Sequence, residues 1–199
     1  MTDLQDKEKS FARKTGYGAY ILNLIKIIFV AVIVAGIINV FCFQLVRIEQ
    51  TSMHPTLVDN NTVFLFKSAY LFSQPKSGDI IIFQSQTNSQ TNYVKRVIGL
   101  PGDTIEIADG KVYRNGVELI EPYIAEPTLG SYKITVPEGR YFVMGDNRNY
   151  SMDSRSSSIG CITKAQILGK VLFAVRPYHM LEPYRHDYAD KIRAQQVPN

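Results

Sequence analysis

The hydrophobic pattern divides the chain into two unlike parts. Residues 27–46 read IIFVAVIVAGIINVFCFQLV, with only Asn39 and Gln44 polar. A run of about 20 apolar residues is what an α-helix needs to cross a bilayer core. A surface helix would carry a polar stripe at 3.6-residue spacing, and this run is apolar all round. A cleavable leader would have a shorter apolar core followed by small residues, which Phe43, Gln44, Leu45 and Val46 are not. The pattern therefore predicts a single spanning helix over 27–46.

Beyond residue 47 the pattern changes to short runs rich in Val, Ile, Tyr and Phe with turn residues between them, which predicts a mainly β domain over 47–185. Strands are expected at 62–66, 79–83, 92–98, 104–107, 111–114, 117–119, 133–136, 141–144 and 169–175. Asp109-Gly110 and Asn115-Gly116 fall between such runs, and both pairs suit two-residue hairpin turns. The polar stretch QSQTNSQTN at 84–92 reads as a flexible loop, and 186–199 as a polar tail.

Charge adds an orientation. Lys7, Lys9, Arg13, Lys14 and Lys26 precede the apolar run and Arg47 alone follows it directly, so residues 1–26 are expected in the cytoplasm and the β domain outside. With 22 Lys and Arg against 18 Asp and Glu, the net charge is +4. The basic residues are scattered rather than gathered into a stripe, which argues against a nucleic-acid partner. Cys42 lies in the apolar run and Cys161 stands alone, so neither a disulfide within the β domain nor a metal site is expected.

Candidate chemistry centres on Ser52 and Lys95. Taken alone, Ser52 in Ser52-Met53-His54-Pro55-Thr56-Leu57 is an ordinary turn residue. Lys95, in a strand where Tyr93, Lys95 and Val97 alternate with Val94, Arg96 and Ile98, reads alone as an edge-strand lysine reaching water. Together they have another reading: a serine hydroxyl needs a base, and a neutral lysine amine can serve. Burial against apolar neighbours would lower the amine from its ordinary pKa of about 10.4, and Phe83, Tyr93 and Val97 are the expected walls. His54 is too near Ser52 in sequence to reach it in line, and His179 and His186 lie near the C-terminal end.

Four blocks carry a resemblance. They are residues 52–57 (SMHPTL), 76–83 (KSGDIIIF), 93–103 (YVKRVIGLPGD) and 145–155 (GDNRNYSMDSR), in that order after one apolar span. The chain so resembles the type I signal peptidases. The resemblance implies a signal-peptidase-like β domain, with Ser52 as nucleophile, Lys95 as general base and Ser151 as the hydroxyl that orients the lysine. It implies Asp153 and Arg155 as a supporting ion pair, Asp146 and Arg148 as scaffold, and Ile48, Met53, Leu57, Ile82, Tyr93 and Val94 as the lining of shallow pockets for small side chains. The implied substrates are signal peptides of secreted preproteins, cut after Ala-x-Ala-type sequences at the membrane near the secretion translocon, with no metal or organic cofactor. Rival readings on the same fold are a peptidase with one dedicated substrate and a catalytically silent, membrane-anchored assembly factor. Gln50 and Tyr150 depart from the family pattern. At Gln50 relatives commonly carry glycine or serine, in some members an oxyanion-hole donor.

Overall fold

The computed structural model describes residues 20–36, 40–85, 91–176 and 178–180. Expectations for residues 1–19, for the centre of the 84–92 loop and for the tail at 186–199 lie outside that set. Two units are separated at residue 42, an N-terminal unit and a β unit that begins at Phe43.

The N-terminal unit contains a helix, Tyr20–Cys42, of 23 residues, long and apolar enough to cross a membrane. It starts earlier and ends earlier than the expected 27–46. Residues 43–46 form part of a strand, β1 (Phe43–Arg47), because they pair in register with β2 (Thr62–Phe66), Phe43 opposite Phe66 and Arg47 opposite Thr62. Hydropathy alone cannot separate an apolar strand from the apolar helix it continues.

The β unit holds two antiparallel sheets. The larger adds β3 (Ile80–Gln84), β4 (Asn92–Gly99), β9 (Arg140–Met144), β10 (Ile162–Thr163), β11 (Ile167–Arg176) and β12 (Tyr178–Met180). Its order is β1-β2-β11-β3-β4-β9-β10, with β12 on β11. The smaller sheet contains β5 (Thr104–Ala108), β6 (Lys111–Arg114), β7 (Val117–Glu118) and β8 (Tyr132–Thr135), in the order β7-β6-β5-β8. The mainly β expectation is met. Both hairpin turns form as expected, with Asp109 and Gly110 at φ 52° and 77°, and Asn115 and Gly116 at φ 54° and 79°.

β3 shows why the core sits where it does. Its apolar residues are consecutive because both faces are covered: Ile80 and Ile82 join one cluster with Ile48, Met53 and Leu57, while Ile81 and Phe83 join another with Val97 and Val143. A third cluster, around Ile98, Ile105 and Phe142, lies where the two sheets meet. This makes β4, paired to β3 on one side and β9 on the other, an internal strand.

Gly169 lies where β11 changes register against β3, and a Cβ built there would stand 2.7 Å from the Phe66 carbonyl oxygen of β2. Backbone cannot yield as a side-chain tip can. Gly169→Ala should therefore destabilise the domain by about 1–3 kcal/mol, read as a lowered thermal midpoint of the full chain in detergent.

Candidate active site

Lys95 comes from the middle of β4, opposite Ile81 of β3, and is 1% exposed. The edge-strand alternative is thereby overturned: an internal strand cannot let both of two adjacent cations reach water. Arg96 is equally buried. Alternation sends the two side chains to opposite sides of the strand, where they meet different partners.

Lys95 Nζ lies 2.5 Å from Ser52 Oγ. Ser52 sits in the segment joining β1 to β2, held by a turn in which the Leu57 N–H donates to the Met53 carbonyl and the His54 N–H to that of Thr51. Met53 and Leu57 anchor this turn in the core, leaving Ser52 8% exposed at a cleft of about 450 Å³. Glu49, Gln50, Tyr93, Tyr150 and Met152 share the cleft wall with Ser52 and Lys95. His54 is exposed.

Burial lowers the Lys95 pKa from 10.5 to about 8. Asp153 and Asp146 oppose the shift by favouring the ammonium, and the Arg155 guanidinium adds to it. Desolvation is the largest of these effects, as expected for an amine taken out of water with no carboxylate in direct contact. The Tyr93 ring, its centroid 5.7 Å from Nζ, is one of the expected walls.

Arg96 remains charged because it is paired. Its Nε and Nη2 donate to the two Asp146 carboxylate oxygens at 2.9 and 2.7 Å, and its guanidinium lies over the Tyr123 ring at 3.9 Å. Asp146 Oδ2 also accepts from the Thr56 hydroxyl at 2.5 Å, joining the serine-bearing turn to the 145–155 segment. Asn147 reinforces that junction: its N–H donates to the Ser52 carbonyl at 3.0 Å and its side-chain amide to the Thr51 carbonyl at 3.1 Å.

The remaining expected residues divide. Arg155 and Asp153 form a two-pronged pair at 2.8 Å, and Asp153 also accepts from the Gly145 N–H. Arg148 makes its ion pair with Glu121, outside its own block, at 2.6 and 2.7 Å, while its Nε donates to the Gly145 carbonyl at 3.1 Å. Ser151 Oγ is buried without a hydrogen-bond partner, so the expected bond to Lys95 is not made in this arrangement. Of the six expected pocket residues, Tyr93 lines the cleft, whereas Ile48, Met53, Leu57, Ile82 and Val94 are buried together in the core beside Ser52. Gln50 donates its side-chain amide to the Asn92 carbonyl at 2.8 Å. Thr56, Glu121, Tyr123 and Asn147 were not singled out from the sequence. Thr56 and Asn147 lay inside the motif blocks, while nothing local marks Glu121 or Tyr123.

A buried amine with a lowered pKa beside a serine hydroxyl at a cleft is an arrangement suited to a serine-type hydrolase. Residues 21–176 match the family described as signal peptidase, peptidase S26. A signal peptidase I of Bacillus licheniformis is 38% identical, over 87% of this chain and 96% of its own length. Signal peptidase I P of Bacillus subtilis subsp. natto is 42% identical, over 86% of this chain and 95% of its own. A crystal structure of a signal peptidase I from Enterococcus faecalis V583 shares 39% identity, covers 49% of this chain and 97% of that one, and has a TM-score of 0.45. The chain belongs to the signal peptidase family, peptidase S26, and is a serine-type endopeptidase.

The lowered Lys95 pKa has a stability consequence. Between pH 8 and 10.5 the unfolded chain keeps the lysine proton that the folded chain has lost, so stability rises with pH across that window. At 1.36 kcal/mol per pH unit the rise is about 3 kcal/mol. Because raised pKa values at Cys161 and the buried tyrosines pull stability the other way, the contribution is read as a difference: denaturant unfolding should show wild type gaining on Lys95→Met from pH 8 to 10.5.

Proposed function

We propose that this chain removes N-terminal signal peptides from secreted preproteins, with Ser52 as nucleophile and Lys95 as general base. The observation that carries the reading is the 2.5 Å approach of Lys95 Nζ to Ser52 Oγ, with the lysine 1% exposed. A buried amine with a pKa near 8 is neutral in a useful fraction close to neutral pH, the condition under which it can accept a hydroxyl proton.

As Ser52 Oγ bonds to the scissile carbonyl carbon, its proton passes to Lys95. The oxyanion is met by the Ser52 backbone N–H, whose peptide is steadied through Asn147. The carbon–nitrogen bond then breaks and the leaving amine takes the proton from Lys95. Water attacks the ester with the same amine as base, restoring the serine and releasing the carboxyl end of the signal peptide. Ser151, one residue before cleft-lining Met152, is the hydroxyl that orients the lysine, its buried oxygen having no other hydrogen-bond partner.

Preference for small side chains before the cut follows from the cleft's surroundings. Ile48, Met53, Leu57, Ile82 and Val94 are packed in one buried core cluster, and of the six residues only Tyr93 is left lining the cleft. The helix Tyr20–Cys42 anchors the chain in the cell membrane as a single span. The basic residues before it face the cytoplasm and the β domain faces outward. A preprotein held by its own apolar segment then meets the cleft at high effective concentration, and the translocon that delivers it lies nearby.

Cleavage of a preprotein in lipid, with the new N-terminus determined, tests the assignment. Ser52→Ala and Lys95→Ala should each reduce the rate by roughly a thousandfold or more, with wild-type cleavage following a small residue. Survival of activity in either variant would remove the proposed pair. A folded wild type that cuts no general preprotein would point instead to a dedicated substrate or an assembly role. For wild type, kcat/KM should climb with pH through about 8 as Lys95 loses its proton, and a rate flat from pH 6 to 9 would argue against the lysine as base.

A further inference from the structure

We propose that the Gln50 side chain is a latch across the active-site cleft: in the free enzyme it bonds to the strand edge that a bound peptide takes, and it weakens substrate binding without entering the chemistry. The latch rests on the signal-peptide reading above and concerns a residue at which this chain departs from the family pattern.

Hydrogen-bond phase along β4 creates the edge. The Thr91 carbonyl accepts from the Ser85 N–H, and the Val97 N–H donates to the Asp79 carbonyl. Odd-numbered residues along β4 thus direct their main-chain groups to β3. In an antiparallel ladder the alternate residues, Asn92, Val94 and Arg96, direct theirs to the opposite side. β9 takes that side only from Arg96 onward, where Arg96 pairs with Met144. Among the described residues, Asn92 and Val94 therefore present an edge that no strand covers.

This edge borders the cleft at Ser52. Tyr93 and Lys95 line the cleft from β4, and Glu49, Gln50, Thr51 and Ser52 line it from the segment that follows β1. A peptide whose scissile bond reaches Ser52 lies between the two, and an extended chain entering there gains affinity from the open N–H and C=O groups of a strand edge. Among the described residues, the Gln50 side chain already holds that edge: its amide donates to the Asn92 carbonyl at 2.8 Å. The acceptor is a main-chain group suited to an incoming peptide N–H, so substrate and side chain compete for it.

The bond is not needed to hold the nucleophile. Before Gln50, the Ile48 N–H donates to the Asn61 carbonyl and the Ile48 carbonyl accepts from the Asn60 N–H. After it, Asn147 holds the Thr51 and Ser52 carbonyls, Thr56 bonds to Asp146, and Met53 and Leu57 are buried. Gln50 stands between two points fastened without it, and its side chain is half-buried. Its amide, committed to a carbonyl of β4, is also not the donor that a serine at this position offers to an oxyanion in some relatives.

Steady-state cleavage of a quenched fluorogenic peptide spanning a signal-peptide cleavage site, by the full-length chain in detergent, separates KM from kcat. With a peptide turned over more slowly than it dissociates, KM reads binding. Gln50→Met keeps the reach of the side chain and removes the donor, whereas Gln50→Ala removes both. Loss of one competing hydrogen bond, released before the chemistry, should lower KM about fivefold in both variants and leave kcat unchanged. An unchanged KM in Gln50→Met would overturn the proposal; a gain confined to Gln50→Ala would make bulk, not the bond, the obstacle. A large fall in kcat in both variants would overturn it too, and would make the amide an oxyanion donor. Each of these results leaves the signal-peptide reading intact. A wild type that leaves the peptide uncut would remove that reading and the latch with it.

Discussion

Two adjacent cations on an internal strand set the terms for the rest of the β unit. Lys95 and Arg96 are both buried in β4, and burying a charge is costly unless the group is neutralised or paired. The chain uses each solution once. Lys95 receives no carboxylate in direct contact, and desolvation lowers its pKa to about 8. Arg96 is opposed by the same desolvation, but it receives both oxygens of Asp146 and the face of Tyr123, and these partners outweigh burial and keep it charged. Exchanging the two environments would abolish the amine's readiness to take a proton and leave a buried guanidinium unpaired.

The pairing on the arginine side organises the lysine side. Asp146 reaches past Arg96 to the Thr56 hydroxyl, and Asn147 holds the carbonyls of Thr51 and Ser52. The serine-bearing turn is thus pinned to the 145–155 segment by side-chain and main-chain bonds together. Space at this junction is tight: a Cβ at Gly145 would stand 2.4 Å from the Ser52 carbonyl oxygen and 2.3 Å from Ser151 Oγ. Only glycine permits that approach. Below it, Asp153 is tied to Arg155 and the Gly145 N–H, and Arg148 to Glu121. Asp153 and Asp146 lie near enough to favour the Lys95 ammonium without overcoming its burial, and the Arg155 guanidinium counters part of their pull.

Function follows from placing this junction at the edge of a shallow cleft on a chain whose N-terminal helix suits a bilayer. Met53 and Leu57, on either side of the serine-bearing turn's centre, anchor that turn in the core.

Much of this was legible from residues alone, because strand alternation, hairpin turns and an apolar run are local properties. The β fold, the Asp109-Gly110 and Asn115-Gly116 turns and the apolar helix are of this kind; the Ser52–Lys95 pair is not local, and it was legible only through motif blocks whose order survives in sequence. The helix boundary at Cys42 was not legible, since Phe43–Arg47 is apolar enough for helix and becomes strand only by pairing with β2. Whether Lys95 reached water also depended on β9 covering β4, a contact between distant residues. Glu121 and Tyr123 carry no local mark, and only the meeting of the sheets puts them beside Arg148 and Arg96. By itself the sequence determined which elements form and which residue types could do the chemistry. The tertiary structure alone decided which strand is internal, and so which cation is stripped of water and which is paired, because desolvation is set by every neighbour in space.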